Sequence, residues 1–78
     1  MNFEVIVQLK AEVLDPEGRA IHESLCRQGF ASLKQVQVTK RYVLRIDQTD
    51  VDAAGTAGRI ARDYLANPVA ETFQIRKI

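Results

Sequence analysis

The chain carries one cysteine, Cys26, and one histidine, His22, among 78 residues. These two singletons close the usual routes by which so short a chain is stabilised. One thiol cannot form an internal disulfide, and one thiol with one imidazole cannot furnish a structural zinc site. A chain near this size removes only about 60–65% of its unfolded surface from water, so its core alone is marginal. Oligomerisation is the stabilising device that remains. The length fits one domain, residues 1–78, with no room for a second.

Charge and hydropathy narrow the function classes. Eleven Lys and Arg face ten Asp and Glu, a formal net charge of +1. The basic residues are spread along the chain, whereas nucleic-acid binding by counterion release needs a concentrated basic surface. The one local cluster, Lys40-Arg41 with Arg45 nearby, reads as a solvated strand end. Nucleic acid is therefore not expected as the main partner. Apolar runs stop at two or three residues, such as Val5-Ile6-Val7, far short of a membrane span. The start lacks the basic and apolar regions of a signal peptide. A thiol without a mate fits a reducing compartment, so the expected location is the cytoplasm.

Hydrophobic periodicity places the elements. Phe3, Val5, Val7 and Leu9 alternate with Glu4 and Gln8, the period-two pattern of a half-buried strand. Asp15-Pro16-Glu17 opens a helix: Asp15 can cap free N–H groups, Pro16 fits the first helical position, and Glu17 faces the positive end of the helix dipole. Ala20, Ile21, Leu25 and Cys26 follow at helical spacing, and Gly29 is a left-handed terminator. Val36 and Val38 alternate with Gln35 and Gln37, and Tyr42, Leu44 and Ile46 with Val43 and Arg45, giving two more strands. Thr39-Lys40-Arg41 between them has no glycine or proline, so a long bent pair is expected rather than a tight hairpin. A second helix starts at Thr49 or Asp50, with Ala53, Ala57, Ile60, Ala61, Tyr64 and Leu65 on one face. Asn67, in a left-handed conformation, and Pro68 end it. Val69, Phe73 and Ile75 mark a last strand.

The order β-α-β-β-α-β in short elements predicts an α+β domain of ferredoxin-like type. Its antiparallel sheet carries two helices on one face. The other sheet face then shows Ile6 and Val43 among Glu4, Gln8, Gln35, Gln37 and Arg45. That mixture is too polar for a core and somewhat apolar for plain solvent, so a partner over it is expected.

No catalytic set emerges. His22 has no orienting partner or nucleophile fixed by spacing, and Cys26 one turn later reads as a small hydrophobe. Asp47, Asp50 and Asp52 lack the glycine and terminal glutamate of a calcium loop, and turn and capping roles account for them. Gly55 and Gly58 lie inside the second helix, not in the strand-to-helix turn of a phosphate cradle, and are expected to let that helix approach another backbone. Exposed strand aromatics, which RNA-recognition domains require, are missing: Phe3, Phe30, Tyr42, Tyr64 and Phe73 fall on core faces or helix ends. The first turn, Ala11 to Pro16, lacks the glycines of an amino-acid-sensing domain.

Two segments carry a family resemblance. Lys10-Ala11-Glu12-Val13-Leu14-Asp15-Pro16-Glu17-Gly18 resembles the segment after the first strand in the PurS family, the small subunits of phosphoribosylformylglycinamidine synthase. Tyr64-Leu65-Ala66-Asn67-Pro68-Val69-Ala70-Glu71 is similar to that family's second motif. Length, element order and the Gly29-Phe30 helix end agree, so the resemblance spans nearly the whole chain. Thr39, where a glycine is expected, and Ala70, where a larger aliphatic is usual, depart from the pattern.

The resemblance implies a non-catalytic subunit of an ATP- and glutamine-dependent ligase of purine biosynthesis. Such a subunit forms a homodimer or dimer of dimers. It bridges a large synthetase subunit and a glutaminase subunit and supports ammonia transfer. It implies no cofactor on this chain, with ATP and magnesium on the large partner. Leu14, Asp15, Pro16 and Gly18, together with Asn67, Pro68 and Glu71, are then candidates for shaping contact surfaces. Arg19, Lys40 and Arg41 are candidates for meeting acidic partner surfaces. Capping and turn formation alone also account for Asp15 and Asn67. A free-standing dimeric small-molecule-sensing regulatory domain is the alternative function.

Overall fold

The computed structural model describes residues 1–78. Strand β1 (Asn2–Leu9) is followed by helix α1 (Pro16–Arg27), strand β2 (Lys40–Arg45), helix α2 (Ala53–Ile60) running directly into a π-helical turn (Ala61–Leu65), and strand β3 (Glu71–Lys77). The strands form one antiparallel sheet in the order β2-β1-β3. The most hydrophobic strand, β1, takes the centre because only a central strand can hide a face completely. Val5 lies opposite Tyr42 on one side and Ile75 on the other.

The core forms where odd residues of β1 meet α2. Phe3, Val5 and Val7 are buried, as are Ala53, Ala57 and Ala61 along one side of the helix. Phe3 packs with Ala53 and Ala57, and Val5 and Val7 pack with Ala61, flanked by Tyr42, Leu44, Leu65 and Phe73. Alanine at every buried helix position lets α2 approach the sheet closely. Each fully buried valine contributes roughly 1.5–3 kcal/mol through removal of apolar surface from water.

Local signals act as expected at α1. Asp15 Oδ1 accepts from Gly18 N–H at 3.0 Å, with Pro16 in the first turn. At the other end Gly29 has φ 104°. Phe30 N–H donates to Leu25 C=O and Gly29 N–H to Cys26 C=O, the paired bonds of a Schellman termination.

The α+β class, the antiparallel sheet and the places of the two helices along the chain match the sequence expectation, and several details differ. The expected strand at Gln35–Val38 joins no ladder, so the sheet has three hydrogen-bonded strands. Instead of lying over the sheet, α1 makes no substantial packing contact with another element and buries only Gly18. Cys26 is accordingly exposed rather than buried. Helix α2 starts two or three residues later than expected, capped by Asp52, whose Oδ1 accepts from Gly55 N–H at 3.2 Å. Asp50 instead braces that start, accepting from Asp52 N–H and the Thr56 hydroxyl.

The far end of α2 also departs. No residue other than Gly29 has positive φ, so Asn67 is not left-handed. The helix exits through the π turn, closed by Ala66 N–H on Ala61 C=O at 3.0 Å, and ends at Ala66, whose φ of −108° and ψ of 140° are extended; Pro68, two residues on, cannot continue a helix. The wider turn keeps Leu65 near the core but carries Tyr64 off the buried stripe, leaving it 81% exposed. Gly58 meets no neighbour where its side chain would be, so close backbone approach does not explain it; Gly55 is needed against the Asp52 carboxylate.

The molecule is long and thin, 52 × 24 × 13 Å, with a radius of gyration of 16.2 Å. A compact chain of this length has about 11–12 Å. The sheet with α2 forms a globular head, and α1 with residues 28–39 forms an arm.

Candidate functional site

The candidate residues collect where the arm leaves the head, and Asp15 is the hub. Its Oδ1 caps α1, while Oδ2 accepts from Val38 N–H at 3.2 Å, twenty-three residues away. One carboxylate thus starts the helix and ties the returning chain to it. These backbone donors, Gly18 N–H foremost and then Val38 N–H, hold the Asp15 carboxyl below its ordinary range. Gly18 sits inside this clamp. A Cβ there would collide with the Val36 carbonyl oxygen and the Asp15 carboxylate. The Asp-Pro-Glu-Gly segment is therefore a helix start that also seats a second chain segment.

Two grooves flank the clamp. The first, about 300 Å³, is lined by Leu14, Asp15, Pro16, Lys40 and Glu71 together with Val7, Leu9 and Val38. The second, about 290 Å³, takes in Leu14, Asp15, Gly18, Arg19, His22 and Val36. Leu14 stands between them, 78% exposed. Five of the ten candidates thus share the first groove, although they come from three separate parts of the chain.

Asn67, Pro68 and Glu71 build the turn that brings β3 to this end. Glu71 Oε1 accepts from Asn67 N–H at 2.7 Å, and Glu71 N–H donates back to Asn67 C=O at 2.7 Å. Asn67 Oδ1 accepts from Val69 N–H, closing the turn around Pro68. Lys10 N–H then donates to Ala70 C=O, joining the turn to the end of β1. Arg19 pairs only with Glu23 along the helix surface at 3.4 Å.

Arg41 lies elsewhere, on the sheet face opposite α2. There it bonds Glu4, which also accepts from Arg76 Nη2 at 3.1 Å. Glu4 is buried, and its hydrogen bond to Arg41 holds its carboxyl below the usual range against the opposing cost of desolvation. The sequence reading missed Glu4 and Arg76 as a unit. The signal was present as a lone acid on the central strand with basic residues on both flanking strands.

The groups with catalytic potential are engaged. His22 Nε2–H donates to Leu33 C=O at 2.8 Å, fastening the arm's return segment to α1, and Cys26 Sγ lies 3.5 Å from the same nitrogen. Asp47 accepts from Thr49 N–H, as a turn role requires.

Comparison with known proteins decides the family. Residues 2–78 match the family model described as PurS, phosphoribosylformylglycinamidine (FGAM) synthase. The chain belongs to the PurS family. The PurS subunit of the Mycobacterium leprae synthase is 44% identical over 73 residues, covering 94% of this chain and 90% of its relative. The crystal structure of Methanocaldococcus jannaschii PurS superposes with a TM-score of 0.84 at 32% identity, covering 96% of this chain and 92% of that one. It is described as one of the subunits of formylglycinamide ribonucleotide amidotransferase in the purine biosynthetic pathway. A chain of the PurLQS structure from Thermotoga maritima shares the fold, with a TM-score of 0.73 at 22% identity, covering 99% of this chain and 95% of that one. As a PurS chain, the protein is the PurS subunit of FGAM synthase and serves purine biosynthesis. None of its helices is long and apolar enough to cross a membrane.

Proposed function

We propose that this chain is a non-catalytic assembly subunit of FGAM synthase. It works as one PurS domain in the cytoplasm, pairs with copies of itself, and bridges a large synthetase subunit and a glutaminase subunit so that ammonia passes between them. ATP and magnesium belong to the large subunit.

The observation that carries this reading is the surface left uncovered. The chain exposes 5959 Å² at a mass of 8.8 kDa, where a compact monomer of that mass exposes about 4,800 Å². The excess is about 1,200 Å², the share each partner contributes to a substantial protein–protein interface. The arm presents Ile21 and Phe30 to solvent, and Leu14 is exposed at its base. The N–H groups of Lys34, Gln35, Val36 and Gln37 donate to nothing within the chain. An unpaired extended segment of this kind is a template for strand addition by another chain. A second copy would both cover α1 and supply the missing ladder, which supports a homodimer or dimer of dimers. Assembly with the other two subunits is supported by the name of the PurLQS structure, whose PurS-like chain shares this fold. Commitment of His22, Glu4 and the aspartates to structural bonds supports a chain without an active site.

Reconstitution tests the reading. The chain should co-purify with the large and glutaminase subunits in the presence of glutamine and nucleotide, and light scattering should show a dimer or tetramer of the isolated chain. Glutamine-dependent amidation that runs equally well after the chain is removed would refute it.

A further inference from the structure

The register puts Ile6 of β1 and Val43 of β2 on the sheet face opposite α2, with Val43 48% exposed. Arg41, Arg45 and Arg76 lie around them, and Glu4 is the one acid on this face. Three guanidinium groups against one carboxylate leave a formal charge of +2. Glu4 is buried and accepts from both Arg41 and Arg76. Each of those arginines spends one donor on it, and most of its five N–H groups stay free in an exposed side chain. The buried acid thus works as an anchor that holds two planar forks in place on a rigid sheet. Such forks are matched to carboxylates and cost little entropy when used. Arg45 is exposed and pairs with no acid of this chain.

We propose that this face docks a partner protein that presents carboxylates around an apolar centre. It is an interface separate from the one through which copies of the chain join. A two-fold contact of this face with itself would set arginine against arginine, since an isologous interface brings the same patch to both sides. Like charges so juxtaposed oppose association. The inference rests on the reading that the chain binds the other synthase subunits and names the surface and the chemistry of one of those contacts.

The test uses the full chain with the purified large and glutaminase subunits from the same organism. Arg45→Glu and Val43→Asp change exposed side chains and should keep the wild-type melting temperature and self-association. Each should weaken binding to one of the two subunits at least about tenfold. Wild-type binding should fall between about 0.05 and 0.5 M salt, and more steeply than that of Arg45→Glu. Unchanged affinity of both variants overturns this inference while leaving the assembly role standing. Loss of self-association in Arg45→Glu overturns it in favour of a homomeric face. Displacement of the subunit by a short RNA oligonucleotide overturns it in favour of a nucleic-acid face. Failure of the wild-type chain to bind either subunit removes the assembly role as well.

Discussion

The head and the arm of this molecule are made in opposite ways. In the head, α2 has a weak local signal, two glycines in eight residues, and a start deferred to Asp52. It is helical because its alanine stripe is pressed onto Phe3, Val5 and Val7. In the arm, α1 has an N-cap, a first-turn proline and a Schellman end, and almost nothing to pack on. One element is fixed by tertiary burial and the other by the backbone chemistry of its ends. An isolated helix of twelve residues is marginal in water. The arm therefore depends on the Asp15 clamp, the His22 bond and a partner, whereas the head closes its own core.

The strongest way to break this comparison is to remove the head's core. Phe3→Ala should cost about 3–5 kcal/mol, a large part of what a small domain has in total. Both regions should be lost together in a thermal melt, because the clamp has no anchor without the sheet. Survival of a folded sheet with only a slightly lower Tm would show that the head does not depend on this contact. Next in size is Gly18→Ala. At an ordinary position inside a helix, this change stabilises by roughly 1 kcal/mol. Here the new methyl group meets the Val36 carbonyl and the Asp15 carboxylate, so a loss of about 1–3 kcal/mol from overpacking is expected. A stabilised variant would mean that the returning segment is not seated against α1.

These contrasts explain what was legible in the sequence. End signals and period-two alternation are local, so β1, β2, β3 and both ends of α1 could be read from a few residues each. The clamp could be read only in part. Asp15 as a cap follows from its neighbours, but its second bond, to Val38, depends on how the chain returns. Val36 and Val38 alternate like a strand, yet a strand needs a neighbour, and pattern cannot tell whether that neighbour lies in the same chain. Tyr64 was misplaced because the π turn changes the helical period just before it, and nothing in Ala61–Leu65 announces that. Of the candidate site, Leu14, Asp15, Pro16, Lys40 and Glu71 converge in one groove. Glu4 and Arg76 were missed because their partnership crosses strands seventy-two residues apart.

Acid separates the two regions more gently. Hydrogen bonds to its backbone donors lower the Asp15 carboxyl, and the Arg41 bond lowers that of Glu4. Asp47 is lowered chiefly by Thr49 N–H, and Asp50 chiefly by the Thr56 hydroxyl. A carboxyl lowered in the folded state binds fewer protons there than in the unfolded chain. Its contribution is complete above ordinary carboxylate values, near pH 4, and is lost as pH falls through the lowered value. Stability should therefore be flat near neutrality and decline below about pH 4. Amide exchange should show Gly18 and Val38 losing protection first, with Val5 and Val7 holding longest. Simultaneous loss at all four would mean that the arm and the head unfold as one unit.

The smallest expected effect on the isolated chain is also the most telling. Ile21 lies on α1 and is 39% exposed, with no core cluster around it. In a dilute sample Ile21→Ser should change stability by no more than about 0.5 kcal/mol, as at any surface position. At high concentration the outcome should differ, because an interface that stabilises the folded chain does so by mass action. Wild-type Tm should rise with protein concentration, and the variant should lose most of that rise while keeping its dilute value. Equal losses at both concentrations would show that Ile21 is covered by its own chain, and the distinction between a self-sufficient head and a partner-dependent arm would fail. A rise retained in the variant would place the contact on another part of the arm, with Phe30, 58% exposed just past the helix end, as the next residue to replace.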